Sequence, residues 1–223
     1  AFGGKFALME PLAAGAALAL RRPVRLALTR GEDFQATNPA SAQVTHLKVG
    51  ARKDGTLTGI EARMIVDRGS NAGWGVEGVS SLLVAGPYRW EARDLRGYGV
   101  QTNRFTFGAY RAPGAPTAAF ALESLLDELA QKLDLDPFDL RLKNAVVEGD
   151  IGVSGSPFPT IGAVEVLERL RGHPLWAQRD SLPENEAIGM AAGYWPGATE
   201  PAAAVCRDDA DGTLDTGFAV LLA

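Results

Sequence analysis

Residues 115–133 read APTAAFALESLLDELAQKL, and this run constrains the fold more than any other. Phe120, Leu122, Leu125, Leu126, Leu129 and Leu133 recur at helical spacing, with Glu123, Asp127, Glu128 and Lys132 set among them. The segment therefore predicts an amphipathic helix with a face to bury. Directly before it lies TFGAYRAPG, residues 106–114, where Tyr110 and Arg111 sit between Gly108 and Gly114, with Pro113 and Pro116 stiffening the path. An arginine at the mouth of a helix can direct its planar fork at a carboxylate, a phosphate or an oxo group. The plainer alternative is a surface ion pair between Arg111 and Glu123 or Asp127 of the helix.

The rest of the chain mixes helix and strand patterns. MEPLAAGAALALRRP (9–23) has the profile of a helix stopped by Pro23, and VRLALTR (24–30) alternates like a strand. Two alternating runs flank Asp54–Gly55 within 43–71, the pattern of a β-hairpin. A glycine-rich stretch (71–88) leaves room for one short helix, and 95–103 suggests another strand. LDPFDLRLKNAV (135–146) predicts a helix capped by Asp136, with Pro137 in its first position. A third helix is expected at about 161–171 after a Gly/Ser/Pro-rich loop, and SLPENE (181–186) reads as a linker. Residues 187–195, 201–209 and 212–220 read as strands, the last two joined at Asp211–Gly212. Without a regular βαβ repeat, the expected class is α+β: mixed sheets with packed helices.

A chain of 223 residues can bury a real core. Its formal charge of −5 and scattered basic residues argue against nucleic acid or an anionic membrane as the main partner. Cys206 is the single cysteine, and His46 and His173 are far apart in sequence, so no protein-ligated zinc or iron–sulfur site is expected from this chain. No apolar run reaches the length of about 18 residues that a membrane span requires. The opening AFGGKF has neither a Met nor a strand to feed its glycine loop, and DTGFAVLLA ends within a strand-like pattern. The chain thus reads as an internal fragment of something longer. In that opening, Gly3 and Gly4 precede a helix pattern, where backbone N–H groups can face an anion or oxo group. A simple turn is the alternative, and neither a phosphate-binding Walker loop nor a G-x-G-x-x-G fingerprint is present.

AYRAPGAPTAAFALESLLDELAQKLDLDPFDLRLKNAV resembles the molybdopterin-binding large subunit of the xanthine dehydrogenase and aldehyde oxidase family, the molybdenum hydroxylases. AFGGKF resembles the end of that family's Gly-Gly-Gly-Phe-Gly-Gly-Lys loop, and RPVRLALTRGEDFQATN its following strand and loop. GMAAGYWPGATEPAAAVCRDDADGTL resembles the entry into its second cofactor domain. The resemblance implies residues 1–180 as a first molybdopterin-binding domain lacking its N-terminal part, and 187–223 as the truncated start of a second. It also implies a molybdenum–molybdopterin cofactor, in the cytosine dinucleotide form if the source is bacterial, held by backbone groups with no protein ligand to the metal. Phe2, Gly3 and Gly4 match the loop approaching the cofactor, and Arg111 the arginine that orients substrate. Tyr110, Ala112, Pro113 and Gly114 would shape the pocket and touch the cofactor. Core packing is the alternative for Phe2, and turn stiffening for Pro113.

The implied reaction is hydroxylation of an aldehyde or N-heterocycle with water as oxygen source, two electrons leaving through 2Fe-2S and FAD partner subunits. A base is needed, which in the family is the glutamate of a Gly-x-Gly-Glu motif; this chain has no such motif, and Glu10, Glu123 and Glu200 do not match it. Glu123 is instead expected to favour the helix dipole. Members with a molybdenum–copper centre for carbon monoxide carry cysteine directly after the loop arginine; Ala112 stands there and disfavours that branch. A diverged or truncated module serving as scaffold is the non-enzymatic alternative. A cytoplasmic location, or a periplasmic one through a partner's signal, is the expectation.

Overall fold

Asp54 and Gly55 turn the chain back on itself because Gly55 takes a φ of +85° and the Asp54 carboxylate accepts from the Thr56 N–H. The hairpin so made consists of β1 (Gln43–Ala51) and β2 (Leu57–Gly69), antiparallel from Gln43↔Val66 to Ala51↔Leu57. The computed structural model describes residues 9–70, 75–195, 202–208 and 214–220, the last two segments by their backbone alone. Strand β3 (Ala92–Gln101) joins parallel to β2, giving a three-stranded sheet of order β1-β2-β3. The parallel pairing needs a crossover, and α3 (Val76–Leu83) lies in that connection.

One face of β2 presents Ile60, Ala62, Met64 and Val66, all buried, at the period of two that a half-covered strand requires. Helix α4 (Ala115–Leu133) lies against this sheet and α3, burying Ala118, Leu122, Leu126 and Ala130. Each of the two leucines contributes about 1.5–3 kcal/mol by leaving water. Phe120 belongs to the sequence periodicity but not to this face, being 78% exposed. Asp136 caps α5 (Pro137–Asn144) by accepting from the Phe138 N–H at 2.7 Å. Phe138 then packs edge-on against Trp176, with Leu167 of α6 (Ala163–Arg171) in the same cluster. A one-turn helix α7 (Pro174–Ala177) carries Trp176.

The backbone of β4 (Ala202–Asp208) and β5 (Leu214–Val220) forms a separate antiparallel pair, in agreement with the two strands expected there. Their expected joint at Asp211–Gly212 lies outside the described residues. Helix α1 (Glu10–Leu20) ends before Pro23, with Arg21 left-handed at its C-terminus. Among the described residues no helix is long and apolar enough to cross a membrane.

Two expected strands are absent. Residues 24–29 form coil, and α2 (Arg30–Ala36) begins directly after them. The start of α2 was legible, since Thr29 and Glu32 form a capping box, each side chain bonded to the other's backbone N–H. Residues 187–195 are likewise coil. Ile188 and Met190 pack against the Phe138–Leu167–Trp176 cluster, and the Ala192 N–H donates to Glu123 Oε2 at 2.8 Å. Alternate burial without a neighbouring strand imitates a strand's pattern in sequence.

Candidate functional site

The loop carrying Arg111 is fastened at a glycine on each side. Gly108 donates its N–H to Pro39 O at 3.1 Å and bridges Ala40, and a Cβ there would overlap the Asn38 carboxamide. Gly114, left-handed at φ +78°, opens α4, and a Cβ there would overlap Ser80 Oγ of α3. Ser80 itself has no exposed surface, so it has little room to yield. Between these points the chain rises to the surface: Arg111 is exposed and Tyr110 is 60% exposed.

Ala112 follows Arg111 with a φ of +54°, a left-handed conformation that costs an alanine about 1 kcal/mol. Its methyl group packs on the cluster of Ala62, Met64, Leu83, Val84, Ala115 and Ala118, and its carbonyl accepts from the Ala115 N–H at 3.0 Å. Strain of this kind persists where surrounding contacts over-determine the backbone. Among the described residues, the N–H groups of Ala109, Tyr110, Ala112 and Gly114 find no backbone acceptor. Beneath the loop is a cavity of about 130 Å³ whose walls include Gln43, Gly108, Tyr110, Pro113 and Gly114. Asn38 Oδ1, buried beside Gly108, has no hydrogen-bond partner among the described residues. A larger apolar cavity of about 660 Å³ is lined by Phe138, Leu167, Trp176, Ile188 and Met190, and none of the described site candidates, Tyr110 to Gly114, borders it.

The carboxylates considered as partners for Arg111 are engaged elsewhere. Arg141 Nε donates to Glu123 Oε2 at 2.8 Å, and its Nη2 lies 2.8 Å from Asp127 Oδ1. Tyr88 adds its hydroxyl to Glu123 Oε1 at 2.7 Å. Burial, and then the Glu123 carboxylate, push the Tyr88 phenol above its ordinary range, against the opposing pull of Arg141. Glu123 thus serves structure as expected, but through a buried ion pair in mid-helix and not through the helix dipole.

Of the expected site residues, Tyr110, Arg111, Ala112, Pro113 and Gly114 share this single loop; Phe2, Gly3 and Gly4 lie outside the described residues. The sequence reading missed Gln43, Ser80 and Thr117, whose hydrogen bonds meet under the loop. A faint signal existed, because Gln43 and Thr45 stand on the same face of β1 as Leu47 and Val49.

The model of the molybdopterin cofactor-binding domain matches residues 1–145, well over half of the chain. The chain belongs to this family. Within it, the aldehyde oxidoreductase of Megalodesulfovibrio gigas is 34% identical over 228 residues, covering 96% of this chain and 25% of that protein. The xanthine dehydrogenase molybdenum-binding subunit of Escherichia coli is 32% identical, covering 96% of this chain and 31% of its own length. The solved aldehyde oxidoreductase from Desulfovibrio gigas superposes with a TM-score of 0.81 at 30% identity, over 97% of this chain and 25% of that one. The chain therefore spans a quarter to a third of these relatives. Its architecture, helices packed on a mixed sheet, is the α+β molybdenum-binding fold of the xanthine dehydrogenase and aldehyde oxidase molybdenum hydroxylases.

A molybdopterin cofactor asks for backbone donors and close approach more than for metal ligands. The Arg111 loop fits that demand with the N–H groups of Ala109, Tyr110, Ala112 and Gly114, which find no backbone acceptor among the described residues, and with its two side-chain-free anchor points.

Proposed function

We propose that this chain forms one wall of the molybdenum-cofactor pocket of a hydroxylase, with Arg111 positioning the substrate. The observation that carries this reading is the placement of Arg111, exposed in a strained loop held by Gly108 and Gly114. The cofactor, when bound, supplies the two-electron oxidation by which oxygen from water reaches an electron-poor carbon. Arg111 presents a fixed positive charge and a fork of donors toward a carbonyl or ring-nitrogen acceptor on the substrate. Tyr110 walls the substrate side, while the N–H groups of the loop and Phe2, Gly3 and Gly4 of the opening loop approach the cofactor. The proton-accepting base comes from a Gly-x-Gly-Glu segment elsewhere in the complete subunit.

The names of the relatives support an aldehyde or an N-heterocycle as substrate. In this reading the cofactor is the cytosine dinucleotide form if the source is bacterial, and electrons leave through 2Fe-2S and FAD partners in the cytoplasm, or in the periplasm if a partner carries an export signal. Residues 1–180 and 187–223 contribute to two successive cofactor domains, and the chain by itself turns over nothing. Ala112 argues against a copper-containing carbon monoxide site.

Arg111→Ala in the full-length subunit tests the reading. It should lower kcat/KM at least about a hundredfold, the scale of losing a positioned charge-assisted contact, with molybdenum content kept within about twofold. Equal loss of metal and turnover would make Arg111 a cofactor or folding residue and sink the assignment.

A further inference from the structure

We infer that Gln43, the first residue of β1, is a positioning residue that holds the Arg111 loop in register with the sheet. The inference rests on the reading that this loop serves catalysis. Gln43 Oε1 accepts two hydroxyls at once, Ser80 Oγ at 3.0 Å from α3 and Thr117 Oγ1 at 3.2 Å from the first turn of α4. Its Nε2 donates to Thr45 Oγ1 at 2.8 Å, which orients the carboxamide with its oxygen toward the helices. The single proton of Thr117 is divided between Gln43 Oε1 and Gly114 O, the latter at 3.0 Å. One acceptor therefore ties together a sheet strand, a buried serine and the first turn of the helix that follows the loop.

The location gives this tie its consequence. Gly114 sits so close to Ser80 that a Cβ on it would overlap Ser80 Oγ, and Arg111 lies only three residues upstream. Gln43 also walls the cavity under Tyr110 and Pro113, so its loss would remove the floor as well as the tether. A displacement of about 1 Å at a positioning group can lower turnover by up to about a hundredfold. The carboxamide is thus one element through which the sheet sets where the guanidinium stands.

Two substitutions test this in the full-length subunit assembled with its electron-transfer partners. Gln43→Met keeps length and removes the acceptor, whereas Gln43→Glu keeps an acceptor for both hydroxyls. Hydrogen exchange of residues 108–118 should accelerate at least about tenfold in Gln43→Met, with residues 122–133 unchanged, and Gln43→Glu should restore protection. In parallel, kcat/KM per bound molybdenum should fall about tenfold in Gln43→Met and recover to within about threefold in Gln43→Glu, at constant metal content. Unchanged exchange in Gln43→Met, acceleration spread over the whole fold, or equal damage in both variants would overturn the proposal. Should the wild-type complex turn over nothing, the functional reading of the loop fails, and the exchange pattern still decides the tether.

Discussion

Arg141 Nε and Glu123 Oε2 meet at 2.8 Å where both side chains are almost wholly removed from solvent. The remaining donors and acceptors of this pair are satisfied by Asp127, Tyr88, the Ala192 N–H and the carbonyls of Glu123 and Pro137. Such a pair adds little over an apolar equivalent, but a buried charge left without its partner is expensive. Arg141→Met should therefore destabilise the fold by about 3–5 kcal/mol, read as a lower urea midpoint. The double variant Glu123→Leu/Arg141→Met should be less destabilised than the single one. A single variant within about 0.5 kcal/mol of wild type would contradict this account.

Tyr88 belongs to the same network and gives it a spectroscopic handle. Its folded pKa is raised, first by burial and then by the neighbouring carboxylate. A raised acid contributes its full stability below the unfolded phenol value near pH 10, about the model-peptide figure. That contribution declines as pH climbs from there toward the folded value. In an ultraviolet alkaline titration Tyr88 should stay protonated until the fold opens, and Tyr88→Phe should remove a step coincident with unfolding. A Tyr88 ionisation completed before unfolding would be the contrary result.

At Gly114 the backbone angle and the contact act in the same direction. Gly114→Ala meets Ser80 Oγ in a left-handed conformation. The cost should be about 2–3 kcal/mol, from backbone strain and a disturbed Ser80–Gln43 hydrogen bond. Adding Ser80→Ala should recover part of it in thermal unfolding, because the overlapping oxygen is gone. No recovery would place the whole penalty in the backbone.

Ala112 separates strain from packing. Ala112→Gly relieves a conformation worth about 1 kcal/mol but loses a partly buried methyl and adds freedom to the unfolded chain, so the net change should stay within about 1 kcal/mol. Ala112→Val, branched at Cβ with φ at +54°, should lower the melting temperature well below either. Comparable stability for the wild type and both variants would refute the assigned conformation.

What the sequence made legible follows from where its signals are local. The Asp54–Gly55 turn, the Asp136 cap and the α4 spacing each declare themselves within a few residues, and each stands where it was expected. Residues 24–29 and 187–195 misled, because alternation reports alternate burial and not the presence of a strand alongside. The loop was visible as composition, but its fastening was not. Ser80 and Thr117 stand 37 and 74 residues from Gln43, and no local pattern announces a hydrogen bond across such distances. The buried pairing of Glu123 with Arg141, 18 residues apart, was hidden for the same reason, since both residues fit equally well on a solvated helix face.

The two glycines that flank the loop also divide the labour of change over evolutionary time. Positions 108 and 114 admit no side chain, so a lineage altering them would have to rebuild the neighbouring Asn38 or Ser80 as well. Tyr110 and Arg111 between them are exposed and under no such embargo. On the proposed function, such a loop can exchange one substrate preference for another by trading these two exposed side chains, while the fold underneath never has to relearn how to hold them.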